Sequence, residues 1–468
     1  MLKRRHTPDS NEAERGASPS VPFVLGWLRA LPLLAALGLL RWLPRIAETP
    51  LTGAWPLPWR LDALTLCFAI ALPLGVAFLP LGWRDTLKAL VALGLLTAVA
   101  GEHLLLLPLA LIVIGGLLWS WRWLLAGGLL TAGLGLIWLS GGSTWPAPTT
   151  ATAVTSPAFL LILLSCSIGL NSYPIALLRQ SPDPLRQALQ PIWLLPLIRT
   201  IEWGPWNSGW TLAALLLGGV TVLWAGSTAL WANDRAQRIE RILSTWLGMA
   251  LACVGLLTTV GIAAALWQLL AYALGLHLLL RSERWGWWAG PVPPAVGFVA
   301  AWLAQGATAA SGAFLLSGIF WLATLLSSIA ILRLRSEAQI SPKLSIPSAI
   351  SIGLALLLGV LSPLPLRWLM LPAIEPLQGG LTPFGLLDIW PWVGIAALDA
   401  GHRRVAVLPS IAVFVLALVV VALAWLLARV FGWVRLETDE EQAPDEQPDL
   451  WEQLRQQVWW IKGPKRRG

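Results

Sequence analysis

The sequence predicts an all-α, polytopic membrane protein of about fourteen transmembrane helices. Three observations carry that prediction. Apolar residues make up 57% of the 468 and charged residues only 12%, about half the charged share of a soluble domain. Mean hydropathy is +0.70. Apolar runs of about 20 residues recur from end to end, the length that crosses a bilayer as a helix. Barrel strands would alternate polar and apolar residues, and only helices satisfy their own N–H and C=O groups inside lipid in runs this apolar.

Taken in order, residues 1–21 begin MLKRRHTPDSNEAERGASPS and read as a disordered cytoplasmic tail rather than a cleavable signal. The bundle occupies 22–430, with spans expected at 22–43, 62–82, 86–101, 103–121, 123–140, 157–178, 187–203, 209–232, 242–260, 261–280, 294–310, 312–333, 346–371 and 405–430. The stretch Gly209 to Arg281 sets the texture, with three apolar runs and one charged connector, Asn233 to Arg241. With the N-terminus inside, Arg84, Lys88, Arg122, Arg186, the connector arginines and Arg333 all fall at inner loops, while the uncharged loop 141–156 falls outside. That bias follows the positive-inside rule and places both ends in the cytoplasm. Arg45, Arg60, Arg403 and Arg404 run against it.

The Pro-, Gly- and Trp-rich segment 372–404 is expected to form an amphipathic or re-entrant element in the interface. Residues 431–468 read as a second cytoplasmic tail, an acidic linker followed by LWEQLRQQVWWIKGPKRRG, which can rest on an anionic leaflet as an interfacial helix.

Composition also narrows function. The net charge of +8 comes from basic residues scattered over short loops, so membrane topology explains it and no nucleic-acid partner is expected. Many of the 31 Trp sit near span ends, as at Trp42, Trp83, Trp121 and Trp231, and suit an interfacial belt; a stack for a pigment or quinone is the competing reading. Cys67, Cys166 and Cys253 lie in apolar runs without paired spacing, and there are four His, so no metal or cofactor is expected. No segment has the size of a soluble domain, and no catalytic residue is assigned.

A charge inside lipid costs about 2.5–3.5 kcal/mol on insertion scales, which makes each polar residue left inside a site candidate. Glu102 and His103 stand at a span boundary, as a turn pair or a proton relay. Arg199 and Glu202 are spaced i, i+3 and can pair on one helix face, as snorkelling ends or as a functional pair. His277 lies about one turn before Arg281, as a packing residue or a relay. Asn171, Ser172 and Pro174 interrupt one span, and Gly306–Gly312, with Ser311, interrupts a later one. Matched interruptions fit two inverted helical repeats of a transporter.

The order of these features resembles a known family. Leu61-Asp62-Ala63-Leu64-Thr65-Leu66-Cys67-Phe68 is similar to its L-D-G-L-S-L-x-F, Glu102 to Leu107 to its D-L-L-L-L-Y, and Tyr173-Pro174 to the F-P of a broken helix. Asp234 to Gly248 keeps the spacing of D-x-K-R-x-L-A-Y-S-x-x-S-Q-L-G. Ala264 to Leu274 resembles A-x-L-F-H-L-x-x-H-A-x-F-K, and Gly306 with Ser311-Gly312 resembles G-L-P-P-L-S-G. Across residues 60–335 the chain thus resembles the antiporter-like membrane subunits of respiratory complex I (NADH-quinone oxidoreductase) and of Mrp-type Na+/H+ antiporters, as a divergent member.

The candidates for an ion path are Glu102, His103, Asn171, Pro174, Arg199, Glu202, Asp234, His277 and Ser311. The resemblance implies partners: the bilayer, other membrane subunits of a redox or antiporter complex, and H+ or Na+. The family's membrane Glu would fall near Ile112, its broken-helix Lys near Gly169 and its later Lys near Leu276, with His positions at Gln268 and Tyr272. The expected function is a scaffold or modified conduit whose charged relay is lost, in a cell inner membrane or an internal energy-transducing membrane. The alternative is an integral-membrane glycan polymerase or ligase, or another lipid-linked transferase, using Asp388, Asp399, His402, Arg403 and Arg404.

Overall fold

A computed structural model describes residues 20–431, apart from 43–44, 47–49, 54–58, 80, 102, 143–151, 178–182, 205, 282–285, 337–345, 382–393, 400–403 and 410. The expected tails therefore lie outside the described residues, except for a few positions at their inner edges.

The first helix, α1 (Ser20–Leu39), is followed by a small antiparallel hairpin, β1 (Leu51–Gly53) with β2 (Trp59–Leu61). Asp62 then caps α2 (Ala63–Ala77): its Oδ1 accepts the Thr65 N–H at 2.8 Å, satisfying a donor that the first turn leaves open. Next come α3 (Trp83–Leu95), α4 (Leu106–Leu117), α5 (Trp121–Leu139) capped by Ser120, and α6 (Thr152–Gly169).

The span expected at 187–203 is instead four short pieces: α7 (Pro184–Leu189), a 3-10 turn Gln190–Trp193, α8 (Leu194–Arg199) and a second 3-10 turn Thr200–Trp203. Pro184 starts α7, and Pro191 and Pro196 remove N–H donors from the turns that follow. The segment survives at depth because it is buried in protein, from Leu185 through Ile201.

A tight pair follows, α9 (Ser208–Trp231) and α10 (Arg235–Gly255). A Cβ at Gly218 would stand 2.6 Å from the Ala252 backbone N, and one at Gly248 would stand 3.0 Å from Val222, so these small residues set how closely the two backbones approach. The central element is α11 (Thr259–Arg281), which packs on α2, α10, α12 (Val296–Ala310) and α14 (Ile346–Val360) and is buried over its whole hydrophobic window. Between α12 and α14 runs α13 (Phe314–Ser336), and the last described helix is α15 (Ile411–Val430).

Among the described residues, four helices are long and apolar enough to cross a bilayer, namely α5, α9, α11 and α13. The bent pair Ile346–Val360 and Pro363–Leu377 makes a fifth when the two are taken as one span, and six further apolar helices among the described residues are shorter.

The structure differs from the sequence expectation in three further places. The bend of 69° near 360–363 falls inside the expected span 346–371, earlier than the re-entrant element expected at 372–404. That later segment contributes β3 (Gly394–Asp399), which pairs antiparallel with β4 (Arg404–Pro409), Asp399 facing Arg404 in the register. The expected span 405–430 thus opens as a strand, in keeping with the alternating Val405 and Val407, and turns helical only at Ile411. The two hairpins are small exceptions to an otherwise helical chain. Finally, α12 runs unbroken through Gly306 to Ala310 and stops at Ser311-Gly312, where Gly312 takes φ +71°. The later interruption is a helix end, closed by the same bonding pattern as the end of α6: the Ser172 N–H donates to the Ser167 carbonyl at 2.8 Å there and the Ala313 N–H to the Thr308 carbonyl at 2.9 Å here, each beside a residue of positive φ, Asn171 and Gly312.

Candidate functional site

Two buried polar clusters stand out. One lies at the end of the Pro-broken 184–203 segment and the other at the break after α6. The first centres on Arg199, at the end of α8. One of its nitrogens lies 2.7 Å from Asp62 Oδ2 and donates to Glu202 Oε1 at 2.5 Å. The other donates to Asp62 Oδ1 at 3.0 Å and to Thr65 Oγ1 at 2.9 Å. Arg60 Nε approaches the same Asp62 from β2 at 3.7 Å. All three members of the Asp62–Arg199–Glu202 triad are buried, with side chains 4–6% exposed. A forked guanidinium between two carboxylates is the geometry that keeps such charges inside a fold.

The second cluster surrounds the break after α6. There Asn171 takes the left-handed backbone conformation, φ +57°, which Asn tolerates better than most residues. Its Oδ1 accepts from Arg122 at the start of α5, and its Nδ2 donates to Glu240 Oε1 of α10 at 2.8 Å. One amide thereby links a cation to an anion across three helices. Beside it, Arg241 donates to the Ala176 carbonyl at 3.3 Å and stacks 4.1 Å from the Trp224 ring. The Tyr173 N–H donates to Thr221 Oγ1 at 3.1 Å, so the broken backbone finds partners in its neighbours.

The expected ion-path residues scatter when placed in the fold. Arg199 and Glu202 pair as their spacing predicts, and Asn171 is buried at a junction. Pro174 is exposed, and so is Asp234, which precedes α10 without a side-chain capping bond. His103 uses its Nδ1 to accept the Leu105 N–H at 3.3 Å within a turn, and Glu102 lies outside the described residues. His277 is fully buried, 5.5 Å from the Phe78 ring. Ser311 bonds back to the Ala307 carbonyl at 2.6 Å in its own helix. Sequence reading passed over Asp62, Thr65, Arg122, Glu240 and Arg241 as site residues. Asp62 and Thr65 stood in one quoted motif, Glu240 and Arg241 lay within another, and Arg122 looked like an ordinary topology residue. Of the residues offered for the transferase alternative, Asp388, His402 and Arg403 lie outside the described residues.

No family model and no curated protein matches the sequence. Solved structures do match. A chain of the Mrp complex from Dietzia sp. DQ12-45-1b superposes with a TM-score of 0.62 at 17% identity, over 92% of this chain and 59% of that one. This chain therefore spans about three-fifths of the Mrp chain it matches. A chain of respiratory complex I from Thermus thermophilus with bound NADH gives a TM-score of 0.58 at 18% identity, covering 77% of this chain and 98% of that one. A chain of the membrane-bound sulfane sulfur reductase, an archaeal respiratory membrane complex, gives 0.64 at 15%, covering 78% and 93%.

The chain has the antiporter-like fold. It is an integral, multi-pass membrane protein.

Within this antiporter-like frame, the positions where the resemblance expects ionisable groups hold uncharged residues, Ile112, Gly169, Gln268, Tyr272 and Leu276. A Cβ at Gly169 would overlap the ring of Trp193, which is fully buried and meets Trp123 edge-on at 5.3 Å. Ile112 packs so closely on Gly127 that a Cβ there would stand 2.5 Å away. Leu276 is fully buried. Tyr272 donates its hydroxyl to the Gln187 carbonyl at 2.9 Å, tying α11 to α7.

Proposed function

We propose that this chain is a divergent antiporter-like membrane subunit of a multisubunit redox or antiporter complex, in which it acts as a scaffold or modified conduit rather than as a charged proton relay. In this reading it has about fourteen spans in two inverted repeats. Its partners are other membrane subunits and lipid, and H+ or Na+ is the ion of any conduction that remains. Its membrane is a cell inner membrane or an internal energy-transducing one.

The observation that supports this most directly is the Trp193 ring lying where a side chain at position 169 would go. A lysine there would have to displace a buried indole. Buried charges pair in two clusters, Asp62–Arg199–Glu202 and Arg122–Asn171–Glu240, where they join separate elements. Pairing of this kind favours structure over a mobile charge.

Purification of the chain from its native membrane in mild detergent tests the subunit reading. Co-purification of further membrane subunits is expected, and recovery of the chain alone would overturn it. Vesicle flux separates scaffold from conduit: Glu102→Gln and Glu202→Gln leave flux unchanged in a scaffold and lower it in a conduit.

A further inference from the structure

Three of the buried polar atoms that lack a hydrogen-bond partner lie on adjacent helices of the second half of the bundle: Gln268 Oε1 on α11, Gln305 Nε2 on α12 and Ser327 Oγ on α13. Each belongs to a side chain at most 5% exposed. Orphans of this kind are rare in folded proteins, where buried polar groups find protein or water partners. These three are not scattered. Gln268 and Ser327 line one cavity together with Trp246, Met249 and Thr324, and Gln305 and Thr324 line the adjoining one. The two cavities share Pro291, Ala301 and Thr324 as a common wall. The space open to a water centre is about 10 Å³ in the first and about 20 Å³ in the second, which is the room one water needs.

The remaining valences fit water. Gln268 already directs its amide nitrogen at Met249 Sδ, a weak acceptor at 3.9 Å, and offers its carbonyl to the cavity. Gln305 Oε1 is taken by the Ser317 hydroxyl at 3.0 Å, which leaves the amide N–H groups as donors. The Thr324 hydroxyl gives its proton to the Phe320 carbonyl at 2.7 Å and keeps a lone pair for an incoming donor. Each cavity therefore presents at least two polar partners.

We propose that these cavities hold a pair of ordered waters, one joining Gln268 to Ser327 and one joining Gln305 to Thr324, as a hydrated seam between α11, α12 and α13. No ionisable residue lines either cavity. The seam solvates polar atoms within the bundle while offering no site at which a proton could rest. The inference concerns the chain itself and does not depend on its being part of a complex.

Hydroxyl-radical footprinting of the full chain in lipid nanodiscs tests this, because radicals formed on bound water oxidise the side chains beside it. Met249 borders the first cavity, and Met370, equally buried, borders neither. The seam predicts oxidation of Met249 several-fold faster than of Met370; equal rates would overturn it. A second measurement keeps the question open to test if the first is confounded by access. Gln268→Met and Gln305→Met should each lower the unfolding temperature when the amide is hydrated, and a rise in both would show that the cavities are dry.

Discussion

At the residue scale, the chain places charge by pairing it. Arg199 holds two carboxylates at once, so its removal is worse than the loss of one bond: Asp62 and Glu202 would face each other in a buried site. Arg199→Met should destabilise the protein by about 3–5 kcal/mol, the usual cost of stranding buried partners, read as a lower unfolding temperature in detergent. The triple variant with Asp62→Asn and Glu202→Gln should recover much of that loss. Gly169→Ala should cost about 1–3 kcal/mol by overpacking against Trp193. Combined with Trp193→Ala, its effect should be strongly non-additive, since the two side chains compete for one space. Sequence spacing alone made the Arg199–Glu202 pair legible, because i, i+3 neighbours meet on any helix. Asp62 lies 137 positions from Arg199, and nothing local announces a contact that only tertiary folding makes. Arg122 and Glu240 were hidden for another reason: Arg122 fitted the positive-inside pattern, and Glu240 stood among the arginines of the charged connector 233–241.

At the scale of elements, glycine carries the closest approach. The α9–α10 pair meets through Gly218, Gly248 and Gly255, with Gly255 facing Ala214 at 3.0 Å. Gly218→Leu should push the helices apart and reduce the yield of monodisperse protein on size exclusion, while Gly128→Leu, at a site with nothing within 4 Å, should leave the yield unchanged. The apolar runs that became α5, α9, α11 and α13 were plain in the sequence, since length and hydropathy suffice to mark them. The 184–203 segment was not. Proline is tolerated in membrane helices, so Pro184, Pro191 and Pro196 did not by themselves say that one span would become four pieces. The β3–β4 hairpin was missed because Val405 and Val407 sit at the edge of a run apolar enough to pass for helix.

At the scale of the molecule, composition alone decided the class, and the order of short motifs over 60–335 pointed to the antiporter-like fold. Repeat symmetry was less legible: the two interruptions prove to be helix ends, each closed beside a residue of positive φ, Asn171 and Gly312. The orientation remains a prediction from loop charges, and cysteine labelling checks it. Cys67, Cys166 and Cys253 are all buried, so the native chain should react little with maleimide before unfolding. On that quiet background, Ser208→Cys should be labelled from outside the membrane and Asn233→Cys only from within; the reverse pattern would invert the topology.

The complete burial of α11 has a consequence for how the protein comes to exist. Its hydropathy of 1.7 is high enough for lipid to accept it, yet in the finished bundle it touches protein on every side. Each lipid contact made on insertion must therefore be traded for a neighbouring helix before the fold is complete, and in hydrocarbon that trade has no hydrophobic drive behind it. Close fit must supply it instead, through surfaces such as Gly275 against Trp246 and Gly75 against Ala273. Assembly of this chain then resembles the closing of a ring around a post: until α2, α10, α12 and α14 have all arrived, the central helix is solvated by lipid that has to leave.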